Sequence, residues 1–250
     1  MNKTVDQTLL QRRSIRRYER ENVSDEDMQF IYEAIRNTPT SYNGQQFSVI
    51  DITDQQLKEQ IYEITHQKQI KTCNHFLVFL ADYHKITVAA DIKGVEMPAF
   101  PGTVDGLIVG VLDAGLAMMS AVVAAESRGL GTCCVGYART VAPDELSALL
   151  ELPRGVMIVC GLAIGVPREL PDLKPKEQLP LVIHNNRYEI DNLRDELIEY
   201  DNTVTHYNET REGTKSNNDW ATHIIGYYRE GMNYHLGQAL RRRGFLTEPD

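Results

Sequence analysis

The sequence predicts an α+β fold, a sandwich of helices around one sheet, on three observations. Segments with helical apolar spacing alternate with short strand-like runs, and one run, Phe76-Leu77-Val78-Phe79-Leu80, is apolar throughout, as in a central strand. A third segment, Leu107 to Ala125, has the length and composition of a buried helix. With 250 residues, 42% of them hydrophobic, the chain can fill one sizeable core. We read 1–250 as a single domain, with 191–250 as a helical C-terminal extension.

Each element has a local cause. Ser24 is an N-cap followed by Asp25-Glu26-Asp27, and Met28, Ile31, Ala34 and Ile35 recur at helical spacing, so a helix is expected from Asp25 to Asn37. Pro39 to Gly44 breaks it, and Phe47 to Ile52 reads as a strand. Asp54 caps a second helix carrying Leu57, Ile61 and Ile64. The long apolar helix is expected over Val104 to Ser127, stopped by Arg128-Gly129, a basic residue followed by one that tolerates left-handed geometry.

A strand at Cys133–Val135, a helix begun by Pro143-Asp144-Glu145 and a strand over Val156–Ile164 follow. Gly165 to Tyr188 is Pro-rich and irregular. Beyond Asp191 the chain turns helical again, with a polar stretch over 208–219 that we expect to be an exposed, mobile loop.

Charge and composition exclude several classes. A formal net charge of −9 opposes phosphate-backbone binding, so no nucleic-acid partner is expected. Met1 to Leu10 is mostly polar and lacks a secretory pattern, which points to the cytoplasm. Asp113 interrupts the long apolar segment, so a membrane span is not expected. Cys73, Cys133, Cys134 and Cys160 form no Cys-x-x-Cys pair and the seven histidines no ligand set, so neither a disulfide framework nor a metal site is predicted. Cys133 and Cys134 read as small buried core residues.

The chemistry begins at Arg12-Arg13-Ser14-Ile15-Arg16. Three guanidinium groups and a hydroxyl within five residues suit a dianionic phosphate. The same run also reads as the solvated basic end of a short N-terminal helix, and composition leaves both open.

Arg12-Arg13-Ser14-Ile15-Arg16-Arg17-Tyr18 resembles the Arg-Ser-Ile-Arg-x-aromatic signature that opens nitroreductase-family domains, and Pro39-Thr40-Ser41-Tyr42-Asn43-Gly44-Gln45 resembles that family's Pro-Ser-Ser-x-Asn-x-Gln loop. Ala125 to Gly131, Gly161 to Pro167, Pro171-Asp172-Leu173-Lys174-Pro175, Leu179-Pro180 and His184-Asn185-Asn186-Arg187-Tyr188 resemble the oxygen-insensitive NADPH nitroreductase and NADPH-flavin oxidoreductase branch. The resemblance covers nearly the whole chain. It implies a nitroreductase-like, three-layer α+β fold with a central mixed sheet flanked by helices.

It further implies FMN as cofactor. Arg12, Arg13 and Ser14 are then expected at the phosphate and ribityl chain, and Arg16 at the pyrimidine side of the ring, where a permanent positive charge favours the reduced anion. Ser41, Asn43 and Gln67 fall where the family places polar groups around the flavin, and Val135, Gly136 and Tyr137 where its main chain passes the ring. Tyr137 departs from the pattern, since many relatives have Gly there and Tyr at the position of Cys134. Lys174 and Lys176 match the family's Lys-Pro-Arg, with Lys in place of Arg.

For the donor, NADPH or NADH, Arg211, nine residues before Trp220, matches the spacing of an arginine used by the branch for the 2′-phosphate, with Lys215 as an assisting cation; no Gly-x-Gly-x-x-Gly occurs. The implied reaction is ping-pong hydride transfer to a small-molecule electron acceptor such as a nitroaromatic, a quinone or free flavin, in a homodimer whose flavin sites are built from both chains. An FMN-binding redox sensor or flavin store with little turnover is the alternative.

Overall fold

A computed structural model describes residues 3–230 and 234–248. Its chain divides into two compact units, Met1–Leu170 with Tyr234–Asp250, and Pro171–Asn233.

The first unit opens with α1 (Val5–Gln11), whose Thr4 and Gln7 form a reciprocal capping box. Ser24 caps α2 (Asp25–Arg36) by accepting from Asp27 N at 3.1 Å, as its position before three acidic residues predicts. β1 (Phe47–Ile52) leads to α3 (Gln55–Thr65), capped by Asp54, and to α4 (Lys68–Thr72). β2 (His75–Asp82), α5 (His84–Lys93) and α6 (Val104–Ser127) follow, then β3 (Gly131–Val135), α7 (Tyr137–Thr140), α8 (Pro143–Leu149) and β4 (Val156–Gly165).

The four strands form one sheet in the order β1-β2-β4-β3. β2 explains its own composition. Leu77, Phe79 and Ala81 enter a core shared with α2 and α6, while Phe76, Val78 and Leu80 enter a second core shared with α3, α4, α7 and α8. Both faces are buried, so the strand is apolar throughout. The three layers expected from the resemblance are therefore present.

The sheet departs from the mixed arrangement in one respect. All three strand pairs are antiparallel, and the parallel component is a single bridge between Ser14 and Thr132. The reason is where the helical excursions return: Ile52 pairs with Phe76, so α3 and α4 bring the chain back to the end of the sheet it had just left.

Pairing of β2 with β4 shifts register between Phe79 and Leu80, whose partners are Cys160 and Ile158. Val159 is the extra residue of a β-bulge. Its carbonyl accepts instead from the Arg139 guanidinium at 2.6 Å.

α6 has mean hydropathy 2.1 over its most apolar stretch, of which 44% is buried. Ala114, Ala117, Ala121 and Ala125 are fully buried on the side facing the sheet. Ile108, Leu112, Leu116 and Met119 lie open on the other. Cys133 is buried as expected; Cys134, on the opposite face of β3, is exposed, a correction that follows from strand alternation.

The second unit holds α9 (Leu179–Val182), α10 (Leu193–Thr210) and α11 (Trp220–Glu230). Tyr200 and Trp220 join α10 to α11 with ring centroids 5.6 Å apart, and Ala221 N donates to Asp201 Oδ1 at 2.9 Å. The connecting segment is exposed over Glu212 to Lys215, and Asn208 Nδ2 ties it down through the Asn218 carbonyl at 2.7 Å. α12 (Leu236–Arg243) belongs to the first unit, where Gly155 N donates to the Arg243 carbonyl and Phe245 is fully buried beside Tyr83.

Candidate functional site

The arginine run is not a helix end. α1 stops at Gln11, Arg12 is already extended (φ −62°, ψ 146°), and the chain then lies along β3, with Ile15 N donating to the Thr132 carbonyl at 2.8 Å. Thr132 in turn donates its hydroxyl to buried Glu126 at the end of α6, 2.8 Å away, and Lys3 pairs with the same carboxylate at 3.5 Å. The run is thus anchored to β3 and α6 together.

Among the described residues, Arg12 Nε and Arg13 Nε are buried and have no hydrogen-bond partner. Leaving a charged donor unsatisfied costs about 1–3 kcal/mol or more, a cost that an anionic ligand removes. Burial pushes both the Cys133 and Cys134 thiols up, opposed at Cys133 by Arg16 and Arg12 and at Cys134 by Arg12. The guanidinium groups therefore bear on β3 itself.

β3 ends in Val135, which is buried, and Gly136, the N-cap of α7. A Cβ on Gly136 would meet no atom within 4 Å, so the main chain here faces open space. Tyr137 packs against the second core and shares a hydrogen bond with Tyr234. Burial, then that bond, hold the Tyr234 hydroxyl above its ordinary pKa. Gln67, just before α4, accepts from Gln69 Nε2 at 3.0 Å, and Gln69 lines the same cavity as Arg16.

Ser41 and Asn43 are elsewhere on the chain. Their loop is strained, with Tyr42, Asn43 and Gln45 at φ of 57°, 53° and 52°. Asp113 fixes it: one carboxylate oxygen accepts from Ser41 N at 2.9 Å and from Ser41 Oγ at 3.1 Å, while the other is buried without a partner. Asp113 and Glu126 stand on one continuous helix, α6, about 20 Å apart at 1.5 Å rise per residue. One chain therefore gathers Arg12, Arg13, Ser14, Arg16, Val135 and Gly136 around β3 and holds Ser41 and Asn43 toward the other end of α6.

Lys174, Lys176, Arg211 and Lys215 all belong to the second unit. Lys174 and Arg211 line one cavity of about 290 Å³ with Tyr200, Tyr207 and Trp220. Arg211 is the C-cap of α10 and donates through Nε to the Thr214 carbonyl at 2.8 Å. Lys176 and Lys215 are exposed.

Three positioning residues escape the sequence reading: Asp113, Arg139 and Tyr234. Asp113 alone left a signal, a charge inside an apolar helix, which served only as an argument against a membrane span.

The model of the Nitroreductase family matches residues 9–166, and that of the Nitroreductase family, C-terminal domain, matches residues 174–248. FMN reductase [NAD(P)H] of Bacillus subtilis (strain 168) is 36% identical over 99% of this chain and 100% of its own. The oxygen-insensitive NADPH nitroreductase of Salmonella typhimurium is 34% identical over 94% of this chain and 95% of its own. The structure of the hypothetical oxidoreductase YcnD from Bacillus subtilis superimposes with a TM-score of 0.93 at 35% identity, covering 98% of this chain and 99% of that one.

Proposed function

Because this chain belongs to the nitroreductase family, we propose that it is an FMN-dependent NAD(P)H oxidoreductase passing two electrons to a small-molecule acceptor, with nitroaromatics, quinones and free flavin as the acceptor classes. The carrying observation is the pair of buried guanidinium Nε atoms of Arg12 and Arg13, which have no partner among the described residues.

FMN, when bound, supplies reversible two-electron hydride chemistry between donor and acceptor. Arg12 and Arg13 would hold its phosphate end with Ser14. Arg16 would place a permanent positive charge at the pyrimidine edge, and Gln67 an amide able to donate and accept. Open space beside Gly136 leaves room for a planar ring against main chain, flanked by Val135 and Tyr137. Arg211 and Lys215 would grip the 2′-phosphate of NADPH. The reaction would run in the cytoplasm.

The open apolar face of α6 supports reading the protein as a homodimer. Val104, Ile108, Leu112, Leu116 and Met119 leave an apolar face open on α6. Antiparallel apposition of two copies of α6 would cover that face. It would also seat the Ser41 and Asn43 loop of each chain, held by Asp113 near the middle of that face, at the seam between the two copies. Each flavin site would then draw on both chains.

Initial rates measured over a grid of NADPH and menadione concentrations test the ping-pong order. Parallel double-reciprocal lines support it, and intersecting lines refute it. Sedimentation of a monomer with bound FMN would refute the shared site.

A further inference from the structure

Beyond the arginines at β3 lies a cavity of about 470 Å³ whose lining carries four permanent cations, Arg16, Arg17, Lys68 and Arg168, and no carboxylate. The bias is local, because the chain as a whole has 35 acidic against 26 basic residues. It is also built. Tyr18 forms the floor, 6% exposed, with its hydroxyl donating to the Ile15 carbonyl at 2.6 Å. Arg168 N donates to the Arg17 carbonyl at 3.0 Å, which pairs the two extended segments that carry Arg16, Arg17 and Arg168. Lys68 opens α4 just after His66, whose left-handed geometry (φ 54°) ends α3 and turns the chain into the cavity wall.

The charges are unevenly compensated. Glu169 accepts from Arg16 N at 2.7 Å and lies 3.7 Å from Arg17 Nε, so its carboxylate is used by the main chain and by Arg17. Among the described residues, the side chains of Arg16, Lys68 and Arg168 have no hydrogen bond or ion pair. Like charges gathered around one concavity repel one another and raise the local concentration of anions. A larger polar cavity of about 770 Å³ shares Tyr18, Thr72 and Arg168 with this one and adds Arg20, Lys58 and Lys71 together with Glu19 and Asp25, so the carboxylate-free lining is confined to the smaller cavity.

We propose that this cavity binds the phosphate group of a phosphorylated small-molecule substrate, beside the Arg16 edge of the flavin site. The proposal deepens the oxidoreductase reading by naming the charge class of the substrate, and its catalytic meaning rests on that reading. A phosphate fits because two separate uncompensated cations outside the flavin site, Lys68 and Arg168, can each donate to one of its oxygens. Two sources share that chemistry, the phosphates of the nicotinamide donor and the phosphate of an acceptor such as free FMN.

The test uses the FMN-saturated protein, so that the arginines at β3 are already engaged, and compares it with the Lys68→Glu/Arg168→Glu and Lys68→Gln/Arg168→Gln variants. Isothermal titration with inorganic pyrophosphate at low salt should show binding to the unaltered protein, weakened roughly tenfold by the charge-reversed pair, less by the neutral pair, and weakened by 0.5 M NaCl. In steady state, a raised KM for NADPH with menadione as acceptor identifies the donor as the source. A raised KM for FMN with riboflavin unchanged identifies the acceptor. Absence of pyrophosphate binding, or equal binding by all three proteins, overturns the proposal. Protein that binds pyrophosphate as expected but oxidises neither NADPH nor NADH refutes the oxidoreductase reading and leaves the anion site standing.

Discussion

A Cβ placed on Gly131 would lie 2.8 Å from the Cβ of Ile15. Ile15 is 4% exposed and sits between Ser14 and Arg16, so this contact sets how closely the arginine run can approach β3. Gly131→Ala must push the run outward, at a cost of about 1–3 kcal/mol for overpacking. FMN affinity should fall with it, and in Arg13→Ala as well. Equilibrium dialysis reads both. Retention equal to that of the unaltered protein in both variants would place the phosphate elsewhere.

Asp113 holds Ser41 from within the apolar helix. Asp113→Ala removes the acceptor for the Ser41 N–H and hydroxyl, and the left-handed run at Tyr42, Asn43 and Gln45 loses its anchor. We expect a stability loss of about 2–3 kcal/mol in urea denaturation, and a smaller one for Asp113→Asn, which keeps one carbonyl oxygen. Equal losses in the two variants would mean that packing, and not the hydrogen bonds, fixes the loop.

Arg139 satisfies the carbonyl that the bulge at Val159 leaves out of the ladder. Arg139→Gln should cost about 1–3 kcal/mol, because a polar group in the wall of the core loses a charge-assisted donor. Since the Arg139 side chain pins α7, which Gly136 caps, to the bulge, FMN release should also quicken, read as the rate of fluorescence recovery on dilution. A variant with unaltered stability and release would show that the bulge is held by its neighbours alone.

Arg211 reaches solvent from the end of α10. Arg211→Ala should raise KM for NADPH about three- to tenfold while leaving NADH nearly unchanged, since only NADPH carries the 2′-phosphate. Equal shifts for both donors would remove Arg211 from phosphate recognition.

Much of the fold is legible in the sequence because its causes are local. α6 runs over Val104–Ser127 as its caps predict, with Gly129 at φ 82° beyond its end, and β1 spans Phe47–Ile52 as its pattern predicts. α5 has no such local cause. Tyr83 offers no side-chain cap, and its apolar residues are not segregated to one face. The left-handed run at Tyr42, Asn43 and Gln45 is equally silent, because Tyr and Gln do not favour that geometry and it is held by Asp113 on Ser41 and by Thr40 on Gln45.

The candidate site divides the same way. Only the resemblance of the later segments favours an anion site over a solvated helix end, since the residue types of Arg12 to Arg16 suit both alike. Their attachment to β3 through Ile15 and Thr132 depends on pairing far along the chain, as does the distance between Ser41 and the arginines. Arg139 could not be picked out, because its role exists only once β4 has bulged.

Anaerobic spectral titration of the purified protein with NADPH and with NADH tests the central claim most directly. The protein should carry the visible absorbance of bound oxidised FMN, bleached by about one equivalent of NADPH per chain and restored by menadione. A yellow protein that neither donor bleaches would contradict the oxidoreductase reading and favour a flavin store or sensor.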